Sequence, residues 1–186
     1  MPKLNLANLS SDKPEVKYCA AKQAIALSEK NPQALYPKLD VFLPFLDGKN
    51  HVLKWVAIII IGNLARVDRN KRIDRLVPKL AGFLHTKELI TAANSIKALG
   101  SIALAKPKFR DEIIRHMLTV EGANYISKGK ISPECRNVVL GHVLTTLGEL
   151  PDEAIRKPVV KAFLKRQTKN RRPAVREKAA QLMKGL

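Results

Sequence analysis

Arg72, Arg75 and Lys79 cluster in one stretch of this chain, Arg110 and Arg115 in a second, and Arg156, Lys157, Lys161, Lys165 and Arg166 in a third. The chemistry open to such side chains is the holding of an anion, either a phosphate backbone or a carboxylate-rich peptide. From Arg156 to Lys178 ten basic residues face one acid, Glu177, for a net charge of +9. The centre of that stretch, through Lys165, Arg166, Lys169, Arg171 and Arg172, reads as a phosphate-binding edge, as a nuclear-import signal in a eukaryote, or as a plain solvated connection. Asp68, Asp74, Asp111 and Glu112 interleave with the first two groups, as they would on ordinary solvated helix faces.

No residues are spaced for catalysis. No two of His51, His85, His116 and His142 stand at i, i+4 around a glutamate, so the zinc-protease pattern is missing. Cys19 and Cys135 lie far apart, with no second cysteine or histidine at ligand spacing, and read as reduced, buried thiols. There is no G-x-S-x-G elbow, no phosphate-binding glycine loop and no Cys-His pair at a plausible spacing. Neither a nucleophile nor a metal or cofactor site is indicated.

The whole chain carries 34 Lys and Arg against 16 Asp and Glu, a net charge of +18, which is more than solubility needs and points to an acidic partner. Aromatic residues make up only 5%, which argues against a surface built on base stacking. The longest apolar run, Trp55 to Ile61, is far below the roughly 18 residues that span a bilayer. The segment beginning at Met1 lacks the apolar core of a secretory signal. No membrane role is expected; a cytoplasmic location is, or a nuclear one in a eukaryote.

The elements that must position the cations are helices. Apolar residues recur at helical spacing almost throughout, and no alternating run is long enough for a strand, so the fold class is all-α. A first helix opens behind Ser11 and Asp12, with Pro14 in its first turn, and runs to about Glu29. A second follows Asn31 and ends near Leu46 before Asp47-Gly48, with Pro37 and Pro44 placed to bend or trim it. The alternation continues with helices over about 52–66, 71–84, 87–104 and 108–120. Residues 122–131, with two glycines and no helical period, read as a longer loop. Helices over about 133–148, 152–167 and 173–186 complete the chain.

These helices repeat one another. Leu35-Tyr36-Pro37-Lys38-Leu39-Asp40-Val41-Phe42-Leu43 returns as Leu76-Val77-Pro78-Lys79-Leu80-Ala81-Gly82-Phe83-Leu84 and, more loosely, as Arg156 to Leu164. Val16-Lys17-Tyr18-Cys19-Ala20-Ala21 is similar to Val175-Arg176-Glu177-Lys178-Ala179-Ala180, and Ile61-Gly62, Leu99-Gly100 and Leu147-Gly148 fall at equivalent positions, where a small residue admits a neighbouring helix. The pattern resembles HEAT repeats of the armadillo-like type over nearly the whole chain. The third unit departs from it, with Glu112 in the proline position and Met117 in the phenylalanine position.

The resemblance implies one right-handed α-α superhelix of about four helical pairs plus a final helix. Its units would be 12–48, 49–85, 86–121, 132–167 and 172–186, with the insertion at 122–131. It further implies that second helices line the concave side. The cations would then form rows along one groove, adding Lys169, Arg171 and Arg172 to the set named above. The function expected is a non-catalytic scaffold for an acidic or extended protein partner. Nucleic-acid binding through phosphates, without sequence preference, is the alternative. A third reading rests on HEAT-like DNA glycosylases, for which Asp68, Asp74 or Asp111 would be available acids.

Two apolar features stand apart. The helix from Val52 has almost no polar face, so Trp55 and Ile59 are either core or an exposed contact patch. The last helix shows Val175, Ala179, Leu182, Met183 and Leu186 with no second helix behind it. A monomer with a weak tendency to self-associate is expected.

Overall fold

The computed structural model describes residues 4–185. Met1–Lys3, where the stretch read for a leader begins, and Leu186, the last apolar residue expected on the final helix, lie outside the described residues. After a short 3-10 turn at Leu6–Ser10, helix α1 spans Pro14–Lys30, with its proline and Glu15 in the first turn. The other long helices are α3 (His51–Leu64), α5 (Leu89–Ala105), α7 (Pro133–Glu149) and α10 (Pro173–Lys184). Asn50 caps α3 by accepting the Leu53 amide at 3.1 Å, and Ser132 caps α7 by accepting the Cys135 amide at 3.2 Å.

The second half of each unit is not the single helix expected from the sequence. Behind Asn31, α2 (Pro32–Leu35) passes at once into 3-10 helices at Tyr36–Val41 and Leu43–Leu46. Pro37 and Pro44 cannot donate to a carbonyl four residues back, so each begins a new, tighter piece. Likewise α4 (Val77–Gly82) sits between 3-10 turns at Asp74–Leu76 and Phe83–His85, and α8 (Asp152–Ile155) is separated by Arg156 and Lys157 from α9 (Pro158–Gln167). The helix expected from Lys71 cannot start there, because Lys71 has φ +57°. In the third unit α6 (Arg110–Leu118) is flanked by 3-10 turns at Pro107–Phe109 and Thr119–Gly122.

The long helices pack in chain order, α1 on α3, α3 on α5, α5 on α7 and α7 on α10. The short pieces form the second layer, and one continuous apolar cluster fills the space between. A Cβ on Gly62 would lie 2.7 Å from Ala98 Cα, one on Gly100 would clash with Thr146 Cγ2, and one on Gly148 would lie 3.1 Å from Leu182 Cδ2. The equivalent glycines therefore mark the closest approach of α3 to α5, α5 to α7 and α7 to α10. The fold is an all-α, right-handed superhelical repeat solenoid. No helix among the described residues is long and apolar enough to cross a membrane.

The insertion is more ordered than a plain loop. Strands β1 (Ile126–Ser127) and β2 (Lys130–Ile131) form an antiparallel hairpin, turned by Lys128 and Gly129, both with positive φ. The buried Tyr125 hydroxyl donates to Leu84 O at 2.6 Å, and the Ile126 amide donates to Lys87 O at 2.9 Å. Cys135 is half-buried, whereas Cys19 is exposed, contrary to the buried thiol expected. On α10, Val175 and Ala179 are buried, while Leu182 and Met183 are half-buried.

Candidate functional site

Many of the cations expected to form an open row instead join one unit to the next. Arg72 pairs with Asp40 of the preceding unit, and Lys79 reaches Asp47 at 2.5 Å. Arg110 pairs with Glu153 at 3.2 Å, Lys157 with Asp111, and Arg172 with Glu134. Arg166 grips both Glu121 oxygens, with its Nε 2.9 Å from one and its Nη2 2.8 Å from the other. Arg156 makes a loose i, i+4 pair with Asp152 at 3.6 Å. Arg75, Arg115, Lys161, Lys165, Lys169 and Arg171 are exposed and have no ion-pair partner among the described residues. Arg115 and Lys161 stand three residues beyond equivalent points, Glu112 and Pro158, of neighbouring units.

The acids named for a glycosylase are committed to the same stitching. Asp68 has no exposed side-chain surface and accepts four donors: the Tyr36 hydroxyl at 2.5 Å, the Arg72 and Ile73 amides at 2.9 Å each, and the Lys106 ammonium at 2.9 Å. Burial pushes its carboxyl up, but the bonds from Tyr36, Lys106 and the two amides outweigh this and hold it below the ordinary carboxylate value. Lys106 also lies 2.7 Å from Asp74, which takes Lys108 at 2.5 Å on its other oxygen. Asp111 is lowered chiefly by its bond with Lys157. Each of these three carboxylates is engaged by at least one lysine.

Three clefts line up along the long-helix layer, and a further one, of about 400 Å³, is lined by Gln33 and Tyr36 of the second layer with Arg66, Arg69 and Asn70. Each long helix shows one outward strip at helical spacing: Tyr18, Lys22, Ile25 and Glu29 on α1, then Trp55, Ile59, Asn63 and Arg66 along and just past α3. On α5 the strip is Asn94, Lys97, Ser101 and Leu104. Between α1 and α3, Tyr18, Ile25, Val52, Trp55 and Ile59 wall an apolar cleft of about 240 Å³, with Lys22 beside it. A second cleft of about 200 Å³ shares Ile25 and Ile59 with the first and adds Asn63, Lys97, Ser101 and Glu149. A third, of about 430 Å³, continues from Glu29 and Asn63 to Arg66 and Leu104. Trp55 and Ile59 are thus half-buried groove walls, an arrangement between the two alternatives the sequence left open. Farther along this face, burial and then the charges of Lys97 and Lys178 hold the His142 imidazole below its ordinary value.

Lys22, Lys97, Asn63 and Ser101 were not singled out from the sequence. The signal available was their i, i+3 or i, i+4 spacing on the first helices, and it was masked by the larger charge density of the second ones.

Layering and groove together define an armadillo-like helical-repeat solenoid. No family model matches the sequence, and no curated protein matches it. Among solved structures the chain is similar to an engineered protein at 18% identity and a TM-score of 0.60, over 95% of this chain and 75% of that one. A second engineered protein matches at 17% identity and 0.58, over 96% of this chain but 46% of that one. The armadillo-repeats-only protein of Plasmodium falciparum matches at 17% identity and 0.53, over 98% of this chain and 85% of that one. At such identities the likeness is one of fold.

Proposed function

We propose that this chain is a non-catalytic repeat scaffold that holds an extended, acidic protein segment across its long-helix face. The observation that carries the reading is the run of three adjoining clefts over α1, α3 and α5, which share walls and offer Lys22 and Lys97 beside half-buried apolar and amide side chains. An extended segment rises about 3.3 Å per residue, so a few residues cross two clefts without any bend in the partner. A monomeric state and a cytoplasmic location, or a nuclear one in a eukaryote, go with this reading.

Six of the cations named from the sequence, Arg75, Arg115, Lys161, Lys165, Lys169 and Arg171, have no ion-pair partner among the described residues and favour a second reading, the binding of nucleic acid through phosphates. The two readings separate by salt and by location. If those six side chains met six phosphates, affinity for duplex DNA would fall on the order of a thousandfold between about 50 and 200 mM salt. The test is fluorescence anisotropy with labelled duplex DNA, duplex RNA and a glutamate-containing peptide. On the scaffold reading the peptide binds, and charge reversal at Lys22 and Lys97 abolishes its binding while alanines at the six unpaired cations leave it intact. Sub-micromolar duplex binding with that salt slope, together with no response of peptide binding to Lys22 or Lys97, would refute it.

A further inference from the structure

Trp55 is fixed by its polar edge and left open on its ring. Its indole N–H donates to Thr91 Oγ1 at 2.9 Å, Thr91 Oγ1 donates to Glu88 Oε2 at 2.6 Å, and the other Glu88 oxygen lies 3.0 Å from His51 Nδ1. The His51 ring stands 6.5 Å from the indole. The Thr91 bond, together with His51, keeps the Glu88 carboxyl below its ordinary value, so the chain has an ionised terminus at neutral pH. A tryptophan tied down in this way loses little further freedom when something packs on its face. The face is directed to the cleft between α1 and α3, where Tyr18, Ile25, Val52 and Ile59 complete the apolar wall.

We propose that this cleft is an anchor subsite, taking one branched or aromatic apolar side chain from a partner segment whose residues next to that side chain are acidic. The inference rests on the scaffold reading above and names the partner's chemistry. Size supports it: about 240 Å³ is room for a side chain, below the roughly 300 Å³ at which pockets for whole small molecules begin. Charge supports the acidic flank. Lys22 is the charged residue lining this cleft, and no carboxylate lines it. Glu29 and Glu149 do line the second cleft, beside Lys97. The preference for acids is therefore strongest at the Lys22 end, and Lys97 is partly offset by those two carboxylates.

Three labelled nine-residue peptides test this by anisotropy: a central Leu flanked by Glu with Gly-Ser ends, the same peptide with Ala for Leu, and the same with Gln for Glu. The expected result is at least a tenfold preference for Leu over Ala, lost in Ile59→Ser. The preference for Glu over Gln is lost in Lys22→Glu, an exposed substitution that leaves the helix intact. Circular dichroism verifies that Ile59→Ser is folded, and Thr91→Val, which frees the indole, weakens the Leu peptide alone. If the Leu and Ala peptides bind alike, the anchor is wrong while the acidic-scaffold reading stands. If the Leu peptide prefers Gln neighbours, or ignores Lys22→Glu, the acidic flank is wrong. If no peptide binds, both readings fall.

Discussion

Replacing Lys106 by Met takes the ammonium away from a carboxylate with no exposed surface. Asp68 would keep three neutral donors, Tyr36 and the Arg72 and Ile73 amides, but would lose the charge that makes its ionised form tolerable in the interior. Breaking a buried pair from one side costs about 3–5 kcal/mol. Lys106 retains 10% side-chain exposure, and Asp74 keeps Lys108, so the lower end, about 3 kcal/mol, is expected. That is a large part of the 5–15 kcal/mol that typically separates folded from unfolded. Tyr36→Phe removes one of the four donors and costs about 1–2 kcal/mol. The double variant costs less than the sum, because both act through Asp68. The assay is urea unfolding of the parent and three variants. The pH dependence is fixed by the depressed Asp68 value: its stabilisation is fully present above the unfolded carboxylate value, near 4, and is lost as pH falls through the lower folded value. In Lys106→Met the same carboxyl protonates readily, so the gap to the parent narrows below about pH 4. A Lys106→Met variant within about 0.5 kcal/mol of the parent at pH 7, or a gap that widens on acidification, would refute the reasoning.

Other expectations follow from packing. Gly62→Ala sets a Cβ 2.7 Å from the Ala98 backbone, which has no side chain to swing aside, and should cost about 1–3 kcal/mol. Gly82→Ala, with open space around a helical backbone, should instead stabilise by about 0.5–1 kcal/mol; thermal melts of the pair check both signs. Ser95 buries its hydroxyl without a partner, so Ser95→Ala should be neutral or raise stability by up to about 1 kcal/mol in urea titrations. Tyr125, whose hydroxyl is pushed up to about 12 by burial and remains a donor, should lose about 1–2 kcal/mol as Phe. In that variant trypsin cleavage at Lys128 should speed up before any cleavage in α7.

The long helices were legible because their information is local: Pro14 marks a start, and the leucine–glycine and isoleucine–glycine pairs mark contact points one unit apart. The second helices were only half legible. Their prolines were visible, but whether Pro37 bends a helix or restarts it as 3-10 turns is decided by what covers it. The fate of the cations was not legible. Lys79 and Asp47, or Arg166 and Glu121, meet only after two units have docked, and a small error in helix phase would part them. The clefts over the long helices were not legible either, since abundance of charge on one layer says nothing of where the surface is hollow. Tyr125 gave no periodic signal, because it enters the core from outside a helix and is held there by a hydrogen bond across 41 residues.

The glycine contacts have a mechanical consequence. Gly62 on Ala98 and Gly100 on Thr146 bring the long helices to their closest approach and cannot be compressed further. The other layer is joined in part by long charged side chains that reach exposed carboxylates of the neighbouring unit, and these lengthen at little cost. A change of curvature therefore swings about the glycine line as about a spine, with the ion-paired layer opening and closing like the folds of a bellows. Such an array adjusts its pitch to what lies along it, and ionic strength sets its stiffness.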